Sequence, residues 1–114
     1  MRGMRCVMLL VLMLGVLPAA ALGQQEATVR IQGDDYGYGA VFIPPTLEVS
    51  SGATVIWIDD DSSAHTVTGR DGSFDSGSIA PNGRFSLKFE KAGPHEYYCK
   101  IHPSMTGKVV VTGR

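Results

Sequence analysis

Arg84-Phe85-Ser86-Leu87-Lys88-Phe89-Glu90 alternates apolar and polar residues without a break. Phe85, Leu87 and Phe89 share one face, and Arg84, Ser86, Lys88 and Glu90 the other. That period of two belongs to a half-buried strand. No window of the chain repeats apolar residues at helical spacing, so the pattern points to an all-β fold. Upstream, Thr54-Val55-Ile56-Trp57-Ile58 is β-branched and aromatic, as suits a central strand. Ala27–Gln32 and Thr46–Ser50 also alternate, and His65–Thr68 resumes an extended pattern. Ala40–Ile43 is stopped by Pro44-Pro45, because proline cannot donate to a ladder. Downstream, Ala92-Gly93-Pro94 turns the chain into Glu96–Cys99, and Lys108–Thr112 forms the last strand. Gly69 to Gly83, rich in Gly, Ser and Asp, reads as a long connection between sheets. Asp59-Asp60-Asp61-Ser62-Ser63 reads as a solvated turn. Short strands between turns predict a Greek-key antiparallel β-sandwich of about seven to eight strands, with almost no helix.

The chain has 114 residues, enough for one domain. Its first segment reads separately from that domain. Arg2 and Arg5 precede a continuous apolar run from Val7 to Leu17, Pro18 breaks it, and Ala19–Gly23 supplies small residues. These are the parts of a cleavable signal peptide. The run is too short to cross a bilayer core of roughly 30 Å as a helix. We expect a signal peptide over 1–23 and a single domain over 24–114, exported to a compartment such as the bacterial periplasm. No cysteine follows the run to carry a lipid anchor.

The expected cut changes the inventory of soft ligands. Of five methionines and two cysteines, only Met105 and Cys99 remain after it. Exported proteins usually pair their cysteines, so a lone thiol is reactive, paired with another chain, or otherwise occupied. Residues 24–114 carry eight Lys and Arg against eleven Asp and Glu, a net charge of −3. They show no basic patch, which argues against nucleic acid as a partner.

Cys99 and Met105 bracket His102 in Tyr98-Cys99-Lys100-Ile101-His102-Pro103-Ser104-Met105-Thr106-Gly107, at the spacing C-x2-H-x2-M. A tight turn could aim all three side chains at one point. Thiolate, imidazole and a weak thioether, with a second imidazole, are the donors of a blue-copper electron-transfer site. Two histidines could complete the set. His95 lies four residues before Cys99 on the same strand, roughly 13 Å away at about 3.3 Å per residue. That leaves His65. The expected ligands of one copper ion are therefore His65, Cys99, His102 and Met105. Zinc would make little use of a thioether.

On these residues the chain resembles the blue-copper proteins, or cupredoxins, of the plastocyanin and amicyanin type. The likeness runs through Phe42, Pro45, Leu47, Val49, Gly52, Val55 and Trp57. It continues through His65-Thr66-Val67, Phe85–Phe89, Ala92-Gly93 and the ligand loop to Gly107. The two residues between His102 and Met105 resemble amicyanin; plastocyanins have a longer gap. The resemblance implies a Greek-key sandwich, one copper and electron transfer through the edge of His102. Two positions depart from relatives, with Thr66 where Asn is common and Ile101 where Pro is common. A threonine hydroxyl is expected to tie the ligand loops less well than an Asn side chain. Ile101, unlike proline, has an N–H, and that N–H is expected to donate to Cys99 sulfur. Ile101 and Pro103 would rim the docking surface for redox partners of the cytochrome or dehydrogenase class.

The main rival is a periplasmic copper carrier or buffer, but such proteins tend to offer surfaces rich in Met and His. An oxygen-activating copper enzyme needs an open coordination position or further copper centres, and no other His cluster exists to build one. A metal-free sandwich that binds a protein is the third rival. The expectation is an electron carrier, not an enzyme, and a monomer.

Overall fold

The computed structural model describes residues 25–34, 36 and 39–113. The expected signal peptide, and the boundary at residue 24, lie outside these. Among the described residues there are eight strands and no helix: β1 (Glu26–Gly33), β2 (Ala40–Ile43), β3 (Thr46–Ser50), β4 (Ala53–Asp59), β5 (Thr68–Gly69), β6 (Arg84–Phe89), β7 (Gly93–Tyr98) and β8 (Thr106–Thr112). They form two four-stranded sheets, ordered β2-β1-β4-β6 and β3-β8-β7-β5.

The β-sandwich follows the alternation in the sequence, but the pairing is mixed. β1 runs parallel to β4, with Val29 beside Trp57, and β3 runs parallel to β8, with Val49 beside Val111. The other pairs are antiparallel. Parallel partners need long crossovers, and the chain supplies them by passing from one sheet to the other. The stretch between β5 and β6 is one such passage, held by isolated bridges His65–Ile79 and Thr68–Asp75.

Alternate residues of β4 fill the space between the sheets. Ala53, Val55, Trp57 and Asp59 are all buried, whereas the intervening residues are half-buried. The Trp57 ring meets Tyr97 edge-on at 5.4 Å, and Tyr97 meets Phe42 at 4.8 Å, spacings at which aromatic pairs attract beyond their buried area. Phe89 is buried, and Phe85 and Leu87 pack against the same core. Tyr97 reaches toward β8 at Gly107, where a Cβ would stand 2.3 Å from the ring. The core thus ends directly beneath the loop from Cys99 to Met105.

Candidate metal centre

Two elements deliver the donor atoms. His65 stands just before β5, pinned by its N–H to Ile79 O at 3.1 Å and by Ile79 N–H to His65 O at 2.8 Å. Cys99 follows β7 directly. Its N–H donates to Met105 O at 3.1 Å, and Met105 N–H donates to His102 O at 2.9 Å, closing the ligand loop on itself. Cys99 Sγ lies 3.8 Å from His65 Nδ1 and 3.8 Å from His102 Nδ1, and the two nitrogens are 3.2 Å apart. A point equidistant from the three atoms lies about 2.1 Å from each, close to a metal–imidazole bond of roughly 2.0–2.1 Å. Met105, 5% exposed, lines the same cleft as His65 and His102. A buried thiolate, two imidazoles and a nearby thioether make a soft set that suits copper.

A family model described as a cupredoxin-like domain matches residues 5–111. The chain belongs to the cupredoxin family. It is 28% identical over 75 residues to amicyanin from Paracoccus versutus, covering 61% of this chain and 57% of that protein. Against chloroplastic plastocyanin from Chlamydomonas reinhardtii it is 31% identical over 100 residues, covering 75% of this chain and 67% of the other. The chain thus spans a little over half the length of that amicyanin. A purple cupredoxin from Nitrosopumilus maritimus superimposes with a TM-score of 0.67 at 34% identity, over 75% of this chain and 99% of that one. A reduced Cu(I) form of an amicyanin mutant gives 0.61 at 30% identity, over 75% and 83%.

Around this cupredoxin site the supporting residues differ in part from expectation. The aspartate run is not simply a solvated turn. Asp59 closes β4 fully buried, its Oδ1 accepts the Asp61 N–H at 2.9 Å, and its Oδ2 has no partner. Burial pushes its pKa up. Asp61 Oδ2 accepts from His65 Nε2 at 2.7 Å and from Ser63 Oγ at 2.7 Å. With Nε2–H given to Asp61, the lone pair of His65 is on Nδ1, the nitrogen facing Cys99 and His102. The hydroxyl of Ser63 and then His65 lower Asp61 to about 2. Burial opposes a charge on His65, yet Asp61 and Cys99 beside it raise its pKa. The available signal was local: a carboxylate four residues before the ligand.

Thr66 also does more than expected. Its hydroxyl accepts the Lys100 N–H at 2.8 Å, so it does tie the two ligand segments together, and its own N–H lies 3.3 Å from Cys99 Sγ. Among the described residues the Thr66 amide donates to Sγ, and the His102 amide also favours the thiolate. Ile101, half exposed, does not supply the expected donor. Burial would raise the Cys99 thiol, but these amides and then the two imidazoles bring it down to about 6. His102, Ile101 and Pro103 are exposed side by side in sequence. His95 stays apart as expected, though it is half-buried against Phe89, with its Nε2 2.8 Å from Lys91 O.

Proposed function

We propose that this chain is an exported type 1 copper protein that carries single electrons, with His65, Cys99, His102 and Met105 holding one copper ion. The observation that supports this most directly is the triangle of Cys99 Sγ, His65 Nδ1 and His102 Nδ1, with edges of 3.8, 3.8 and 3.2 Å. Copper bound there supplies a Cu(II)/Cu(I) couple. The chain's part is to fix the donors: β-bridging holds His65, the closed loop holds Cys99 and Met105, and Asp61 sets the tautomer of His65. Burial of Cys99 protects the thiolate, while exposed His102 gives a short path between the site and a docked protein. Ile101 and Pro103 flank that path and offer an apolar rim. Cytochromes or dehydrogenases are the partner class that fits a one-electron carrier, and weak redox encounters bury little area.

Export rests on the basic start and apolar run before residue 24, and on the survival of one unpaired thiol. Among the described residues no helix is long and apolar enough to cross a membrane. A carrier or buffer that hands over copper itself would need ready metal release, whereas Cys99 is fully buried and Met105 nearly so. The test is metal content with visible absorption. We expect one copper per chain and an intense blue band that disappears in Cys99→Ser. The protein should also cycle between oxidation states without losing metal. A Cys99→Ser protein that keeps the band, or copper lost at each cycle, would overturn the reading. Pro103→Glu should slow electron transfer to partner proteins and change its salt dependence; unchanged rates would place docking elsewhere.

A further inference from the structure

We infer that Asp75, which is not a metal donor, is a positioning residue: it holds the segment after Cys99 against Thr66 through a one-way chain of hydrogen bonds. The inference rests on the copper reading only for its electrochemical part. The chain begins at the Lys100 N–H, which donates to Thr66 Oγ1 at 2.8 Å. Thr66 Oγ1 lies 3.0 Å from Thr68 Oγ1, and Thr68 Oγ1 donates to Asp75 Oδ1 at 3.1 Å. The other oxygen, Asp75 Oδ2, accepts from Lys100 Nζ at 2.5 Å. The ring therefore starts and ends on Lys100.

Proton counting gives the ring a direction. Each hydroxyl has one proton to donate. Thr68 gives its proton to Asp75, so Thr66 must be the donor between the two threonines. Thr66 Oγ1 is then left with lone pairs alone, which is what the Lys100 N–H requires. Hydrogen bonds aligned head to tail strengthen one another, and this series ends on a carboxylate. Thr66 and Thr68 are 4% and 7% exposed, so water is a poor substitute for either partner.

Asp75 is itself held in place. Its Oδ1 accepts the Gly77 N–H at 3.0 Å, and it bridges Thr68 through the backbone. Its neighbour Ser76 is tied to Val67 twice, through N–H to Val67 O at 2.9 Å and through Oγ from Val67 N–H at 2.8 Å. An exposed lysine–aspartate pair by itself contributes little. Here the carboxylate also orients Thr66, whose N–H lies 3.3 Å from Cys99 Sγ. Loosening Asp75 should loosen a donor to the thiolate, leave more electron density on sulfur and favour the oxidised metal.

The experiment compares Thr68→Val, Thr68→Ser and Asp75→Ala with the parent, all copper-loaded and reduced, hence diamagnetic. Amide hydrogen exchange at Lys100 should be at least tenfold faster in Thr68→Val and Asp75→Ala and near the parent in Thr68→Ser. The reduction potential should fall in the first two by about threefold in equilibrium constant, roughly 28 mV at 59 mV per tenfold change. Exchange within twofold of the parent in both variants would overturn the inference. So would faster exchange with an unmoved potential, or failure of Thr68→Ser to restore either. If the parent binds no copper, the copper reading fails separately, and Lys100 exchange in the metal-free chain decides whether the ring holds the segment.

Discussion

An imidazole has two nitrogens, and a metal site can use His65 only if the correct one carries the lone pair. Asp61 makes that choice by accepting a hydrogen bond from Nε2–H at 2.7 Å. Partners that orient a ligand in this way are worth about 10–100-fold in metal affinity. Asp61→Ala should weaken copper binding by that factor, measured by competition with a chelator of known affinity. Ser63→Ala should cost less, since the Ser63 hydroxyl donates to Asp61 and only supports the carboxylate that orients the ring. Equal affinities in Asp61→Ala and the parent would mean that packing alone orients the ring. At Ile101 the expected outcome is a null one. Its amide is not a donor to Cys99, so Ile101→Pro should keep both the blue band and the reduction potential. A clear fall in potential would show that this amide does tune the site.

Among the strands, β7 and β8 approach closely at Gly107. Tyr97 lies over the backbone of Gly107, and a Cβ there would stand 2.3 Å from the ring. Tyr97 is fully buried against Trp57 and Phe42, so it has nowhere to move. Overpacking of this kind costs about 1–3 kcal/mol, occasionally more. Gly107→Ala should lower the urea midpoint accordingly with an unchanged slope; an unchanged midpoint would mean that the ring yields freely. Gly107 was legible in the sequence only as part of the ligand motif, because its contact lies on another strand. The same distinction runs through the fold. Alternation in Arg84–Glu90 marked a strand and its buried face, and the β-branched, aromatic run Thr54–Ile58 marked another strand, since side-chain direction and strand preference are local properties. Parallel pairing of β1 with β4 was not legible, because it depends on which sheet each crossover joins. The site divides likewise. Cys99, His102 and Met105 are close in sequence and could be read directly. Asp61 was hidden in a run that looks like a solvated turn, and Asp75 reaches Lys100 across 25 residues.

Across the whole molecule, the donors come from two segments that are distant in sequence. His65 sits on the passage that leaves β4 for β5 in the other sheet, and Cys99 to Met105 join β7 to β8. A metal held by both is bound by the folded chain and much less by the unfolded one, so its binding free energy becomes folding free energy. At a free metal level one hundred times the dissociation constant, the gain is about 2.7 kcal/mol. For a domain of this size, each kcal/mol moves the melting midpoint by about 4–8 °C, so loading should raise it by about 10–20 °C. Cys99→Ser removes the thiolate and should lose most of that rise. His95→Ala, which alters a histidine outside the donor set, should keep it. Differential scanning calorimetry of the loaded and chelator-treated proteins checks this directly. If the two melt together, the metal is not joining the two segments. If His95→Ala loses the rise while Cys99→Ser retains it, the donor set is wrong.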